Sequence, residues 1–203
     1  YLILYFSCKC TGRFDAYDKK NYVSKVRFDK EFEIYQELSE RRLELVFTVS
    51  NFNQYIDMYI RRREDFANYV KKQELTEKTF FENEINKLIE SYNKNNFSTR
   101  KFAPFIDERM YNDIAKLNKI CSEQINNCSK ILSFFENMDY RSLVSKNNVP
   151  KDEVDEFFRS FDFGEEIEET FNDIQKKQKE ISSMSDNLTK DMRIYLKSLE
   201  VRS

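Results

Sequence analysis

Histidine is absent from this 203-residue chain. Its absence removes the commonest general base and the commonest transition-metal ligand. Ser-His-Asp and Cys-His triads, zincin motifs and the Glu-x-x-His pairs of di-iron bundles go with it, which argues against a conventional hydrolase. Glycine and proline occur at only four places, Gly12, Pro104, Pro150 and Gly164. Turns lean on those residue types, so a β-sandwich or a doubly wound α/β fold fits poorly. Two glycines cannot build G-x-x-x-x-G-K-[ST] or G-x-G-x-x-G, which sets aside the familiar nucleotide-binding enzymes. Charge of one sign is not in excess: 34 Lys and Arg face 36 Asp and Glu, a net charge of -2. With no global field to draw it, nucleic acid is not expected as a partner.

What the chain does have is bulk and charge together. It carries 19 Phe and 12 Tyr, and 34% of its residues are charged, against about 25% in an average domain. That combination describes a folded protein with a heavily solvated surface, and the length suits a single domain with a real core. Apolar residues recur at steps of three, four or seven along Phe28, Phe32, Tyr35, Leu38, Leu45, Val49, Phe52, Ile56, Tyr59 and Phe66. This stripe predicts a long helix over 28–70, interrupted on its apolar face by Arg42 and Arg63, with a kink where Ser50, Asn51 and Asn53 cluster. A second helix is predicted from Glu77 to Tyr92, carrying Phe81, Ile85 and Leu88. "NKNNFST" is expected to end it, because Asn and Ser compete for backbone hydrogen bonds.

A third helix is predicted from the N-cap Asp107 to Met138. Its uncharged stripe is Met110, Ile114, Leu117, Cys121, Ile125, Cys128, Leu132 and Phe135. Pro150 should open a short helix with Val154, Phe157, Phe158 and Phe161. After Gly164 a final helix bears Ile167, Phe171, Ile174, Ile181, Leu188, Met192, Tyr195 and Leu199, its stripe diluted by Gln178 and Ser185. Such faces satisfy one another by packing side by side. The predicted fold is all-α: an elongated antiparallel helical bundle of about four main helices, long first and last helices, and coiled-coil-like packing.

Candidate chemistry is sparse. Asp162-Phe163-Gly164 copies the letters of a kinase metal motif, but the glycine-rich loop and catalytic loop are missing, so it reads as a linker. Residues 152–169 are the most acidic stretch, without EF-hand spacing, and read as a solvated face with acids near helix N-termini. Arg61, Arg62 and Arg63 point three ways about a helix axis, and Arg63 needs a carboxylate partner. Cys121 and Cys128 lie two turns apart, too far to bridge, and read as core; Cys8 and Cys10 lack zinc-site spacing. Three N-x-[ST] matches, at Asn96, Asn127 and Asn187, are what chance gives in so Asn-rich a chain. No catalytic, cofactor-binding or metal-binding residue is assigned, and no cofactor is expected.

"YLILYFSCKCTGR" opens the chain without methionine. The run is too short to span a bilayer, which needs around 20 residues. Residues 1–13 are read as the C-terminal end of a transmembrane helix, the alternatives being a first core helix or strand, or a tag remnant; residues 14–203 form the helical-bundle domain. Lys9, Arg13, Lys19, Lys20, Lys25 and Arg27 follow within twenty residues, the enrichment typical of the cytoplasmic side. The expected location is therefore the membrane, with the helical domain facing the cytoplasm.

"RFDKEFEIYQELSERRLELV" (27–46) with "FAPFIDERMYNDIAKLNKIC" (102–121) resembles the pattern of small bacterial proteins of unknown function that carry one N-terminal membrane helix and a helical cytoplasmic region. The resemblance covers about a fifth of the chain and implies topology alone, with no functional residue to carry over.

The expected function is a non-catalytic, membrane-proximal helical bundle that binds a protein partner or self-associates, as a homodimer along the long helices with the final helix in the interface. An extracytoplasmic four-helix sensor is the alternative, distinguished by a second membrane helix after "SLEVRS". A third reading is a histidine-free, carboxylate-dependent enzyme using acids such as Glu165 and Glu169.

Overall fold

The computed structural model describes residues 2–136, 150, 152, 153, 156 and 164–200, and side chains within 25–133, at 150, 152, 153 and 156, and within 165–198. Of the predicted helix after Pro150, Asp152, Glu153 and Glu156 are helical while its apolar residues Val154, Phe157, Phe158 and Phe161 lie outside these, as do the end of the third helix beyond residue 136 and the packing of Phe135, Phe163 and Leu199. The described chain includes the α-helices α1 Leu2–Arg61, α2 Arg63–Lys71, α3 Glu77–Phe102, α4 Glu108–Glu136 and α5 Gly164–Glu200, with a 3-10 turn at Ala103–Phe105. No strand occurs among the described residues. The all-α expectation holds.

The helices form an antiparallel bundle in ring order α1, α3, α4, α5, and α1 also meets α4 across the diagonal. Cross-helix bonds set the directions. Glu37 pairs with Lys101 and Glu44 with Lys94 on α1–α3; Arg109 pairs with Asp191 and Lys130 with Glu166 on α4–α5. Tyr195 donates to Glu31 at 2.6 Å, while Arg42 reaches Ser185 and Thr189, so α1 and α5 also run oppositely. The predicted stripes supply the core: Tyr35, Leu38, Leu45, Val49, Phe52 and Ile56 from α1, Met110 to Leu132 from α4, Ile167 to Met192 from α5.

Two boundaries differ from expectation. The first helix breaks at Arg62 (φ -135°, ψ 59°), not near Ser50 and Asn53, through which α1 runs unbroken. Ser50 and Asn53 do not turn back on their own backbone because Gln178 of α5 binds both side chains. At some 1.5 Å per residue α1 is about 90 Å long. Among its described side chains, which begin at Lys25, none is fully buried from 25 to 34 and Tyr35 is the first that is. α2 ends in a turn where Glu74 takes a left-handed φ of 58°.

The second correction concerns α3, which passes through "NKNNFST" to Phe102 instead of stopping at Tyr92. Asn95 is buried and donates to Asn118 of α4, Ser98 donates to Glu37 at 2.9 Å, and Thr99 bonds back to the Asn95 carbonyl at 2.8 Å. Residues that break a helix when they compete for its backbone keep it intact when their side chains find partners on neighbouring helices or four residues back. The caps behave as their residue types dictate: Thr76 accepts from the Thr79 N–H, and Asp107 from the N–H groups of Arg109 and Met110.

Candidate functional site

Among the described side chains most large apolar residues are covered; the exposed ones include Val26 and Phe32 at the start of the α1 stripe, Phe105 after α3, Ile194 on α5 and a group on the outer side of α1 and α3. Leu43 and Phe47 on α1 are 49% and 67% exposed, and Phe97 on α3 is 69% exposed. Leu43 and Phe47 are four residues apart and so neighbours on one helix face. The Lys94 ammonium lies 3.7 Å from the Glu44 carboxylate across the α1–α3 seam. Phe47 and Phe97 each follow one member of that pair by three residues on antiparallel helices, so they flank it about one turn to either side. Around them stand acids and bases of both signs: Arg41 pairs with Glu44, Lys94 also with Glu90, and Gln36 binds Glu40. The result is an apolar row on a mixed-charge field.

The α3–α4 seam is the least closely packed of the four, and it opens into two grooves. One, of about 600 Å³, lies beside the α2–α3 turn; Phe81, Ile85 and Leu132 floor it, and Glu77, Lys78 and Glu82 rim it. Arg63 sits just behind, stacked 4.1 Å over the Tyr59 ring and ion-paired with Glu77. Glu77 is therefore the carboxylate that the position of Arg63 on the apolar stripe demanded. The second groove lies higher on the same seam.

Arg42 is the other interruption of the α1 stripe, and it is fully buried. No carboxylate among the described residues closes on it. Its guanidinium donates to the Ser185 carbonyl at 3.0 Å, Thr189 Oγ1 at 2.9 Å and Ser39 Oγ at 3.3 Å, and Nε has no partner. Burial lowers its pKa to about 10, with the more distant Asp186 opposing. Gln178 and Ser185, which dilute the α5 stripe, thus face α1 of the same chain. Gln178 and Arg42 bond α5 to α1, Gln124 donates to the Ile174 carbonyl at 2.9 Å between α4 and α5, and the Cys128 thiol donates to Asn53 at 3.2 Å between α4 and α1, so polar bonds link all three helices.

Cys121 and Cys128 are free and buried, as expected of core cysteines; burial pushes the Cys121 thiol up to about 12 and Cys128 further in the same direction. Glu165 and Glu169 lie exposed on α5. Among the described residues no group of three or more Cys, Asp or Glu converges on a metal position. Asn127 is half-buried and donates to Asp173. The apolar row of Leu43, Phe47 and Phe97 was missed by reading stripes alone, yet it had a signal: all three fall off the predicted core faces. Comparison with protein-family models, curated proteins and solved structures finds no match.

Proposed function

We propose that this protein is a non-catalytic helical module that works by self-association, through the outer face of α1 and α3, and that the N-terminal end of α1 holds it beside a membrane. The observation that carries the reading is the exposure of Leu43, Phe47 and Phe97 in one row. Soluble surfaces seldom leave two phenylalanines so bare without a partner to cover them. A second copy is the occupant that suits the surroundings. Both signs of charge lie along the row, and a two-fold contact sets the Lys94 side of one copy against the Glu40 and Glu44 side of the other. The long α1 helices would then cross in coiled-coil fashion, burying more than about 1,000 Å² in total.

Support for the membrane half comes from continuity. The apolar run at residues 2–6, the basic flank and the bundle all share α1. No helix among the described residues is itself long and apolar enough to cross a membrane. The resemblance of 27–46 and 102–121 to membrane-anchored helical proteins points to the same topology, with the bundle on the cytoplasmic side.

Sedimentation equilibrium between about 5 and 100 μM tests self-association. A dimer with Kd in the micromolar range is expected, about -8 kcal/mol of association free energy. Phe47→Asp with Phe97→Asp should return a folded monomer. A wild-type monomer throughout that range would contradict the reading. Membrane flotation of the full-length protein from cells tests the second half, where a wholly soluble product removes it.

A further inference from the structure

The upper groove of the α3–α4 seam, about 420 Å³, differs in chemistry from the lower one: its lining is more polar than apolar. Ala115 is too small to fill the space between the helices, while Tyr92 and Tyr111 stand towards its two ends, one from each helix. By the α3–α4 register that Asn95 and Asn118 set, the groove runs about 15 Å along the bundle. Its size falls in the range of small-molecule sites.

The charges in the groove are not balanced. Glu123 is its one acid, and the Lys177 ammonium from α5 already holds that carboxylate at 2.6 Å. This hydrogen bond and the charge of Lys177 keep the Glu123 carboxyl below its ordinary range. Arg100 and Lys119 are the groove's cations; the charge of Lys119 also acts on Glu123 from one turn away, the lesser contribution beside Lys177. Asn118 adds a fixed donor. It is 5% exposed, its Oδ1 accepts from Asn95, and the residue lines the groove.

We propose that this groove binds a small phosphate monoester carrying hydroxyl groups, a sugar phosphate or a nucleoside monophosphate. Arg100 takes the phosphate as a two-pronged donor and Lys119 adds a point charge. Asn118, Asn96 and Ser122 meet the hydroxyls, and the tyrosine rings cover the apolar face of sugar or base. Binding across the seam ties α3 to α4 where the bundle is most open. It does not require self-association, since the groove lies on a different face from Phe47.

Isothermal titration of the intact protein with glucose 6-phosphate, glucose, AMP and adenosine tests the assignment. At least one phosphorylated probe should bind below about 1 mM, with its unphosphorylated counterpart at least about tenfold weaker. Preference for glucose 6-phosphate or for AMP decides between the two sources. Arg100→Ala and Lys119→Ala, both on the helix surface, should each weaken binding about fivefold or more while leaving the melting temperature unchanged. Absence of binding by either phosphorylated probe up to about 10 mM overturns the proposal. So does equal binding of phosphorylated and unphosphorylated probes, or affinity unchanged in both variants.

Discussion

The corner where α1, α2 and α3 meet and the seam where α5 lies against α1 and α4 hold helices together by opposite means. In the corner, Phe66 is fully buried and its ring packs against Tyr59, Phe80 and Phe81 at centroid distances of 5.2, 5.5 and 5.2 Å. Phe52, Tyr55 and Tyr69 extend the same cluster edge to face. On the seam, the contacts between stripes of Ile and Leu are interrupted by Arg42, Asn53, Gln178 and Gln124, each bonded to a particular atom of the facing helix. Apolar packing supplies free energy in proportion to area but tolerates sliding; a directed bond to one carbonyl supplies little net energy and tolerates almost none. The corner thus carries stability and the seam carries register.

Breaking the corner should have the largest effect. Phe66→Ala removes a ring from a fully enclosed site and is expected to cost about 3–5 kcal/mol, read as a fall in the urea midpoint with unchanged slope. A loss below about 1 kcal/mol would mean that the cluster collapses around the gap and is less tightly built than its geometry suggests. On the seam, Gln178→Leu strands the buried Asn53 amide and should cost about 1–3 kcal/mol. Adding Asn53→Leu removes the stranded group, so the double variant should recover part of that loss. A double-mutant cycle that simply adds would deny the coupling.

The smallest effect concerns acid. Burial works to raise the Glu31 carboxyl, but the hydroxyl of Tyr195 and the guanidinium of Arg27 bond to it and together hold it below its ordinary 4.5. A carboxylate depressed by folding stabilises the native state above the unfolded value and stops doing so as pH falls through the folded one. Thermal unfolding of wild type should therefore lose stability on going below about pH 4.5, and Glu31→Gln should flatten that limb by well under about 1 kcal/mol. Identical pH profiles would remove Glu31 from the seam's account.

How much of this was legible in the residues follows the same division. Stripes of three-four spacing announce the core, and Tyr35 to Ile56, Met110 to Leu132 and Ile167 to Met192 are buried as their periodicity implies. What periodicity cannot carry is the destination of a polar side chain. Asn95 and Ser98 looked like a stop because their partners, Asn118 and Glu37, are distant in sequence; Ser50 and Asn53 looked like a kink because Gln178 lies 125 residues beyond Asn53. The break at Arg62 has no glycine or proline to mark it. Arg63 was legible as a cation in need of an acid, though not that Glu77 supplies it. The upper groove was hidden for a compound reason: Asn96, Thr99 and Arg100 line it only because α3 continues past Tyr92.

Arg42 separates the two roles most sharply, since it is a buried cation whose partners are a carbonyl and two hydroxyls. Thr189 also donates to the Ser185 carbonyl at 2.9 Å, so Arg42→Met would leave that carbonyl satisfied while replacing the guanidinium with apolar volume. Exchanging a buried charge for a well-packed apolar side chain is often neutral or stabilising by about 1–4 kcal/mol. Urea denaturation of Arg42→Met beside wild type is the direct measurement. An equal or higher midpoint at unchanged slope is the predicted result, whereas a fall worth about 2 kcal/mol or more would contradict the division of labour, by showing that the seam carries stability as well as register.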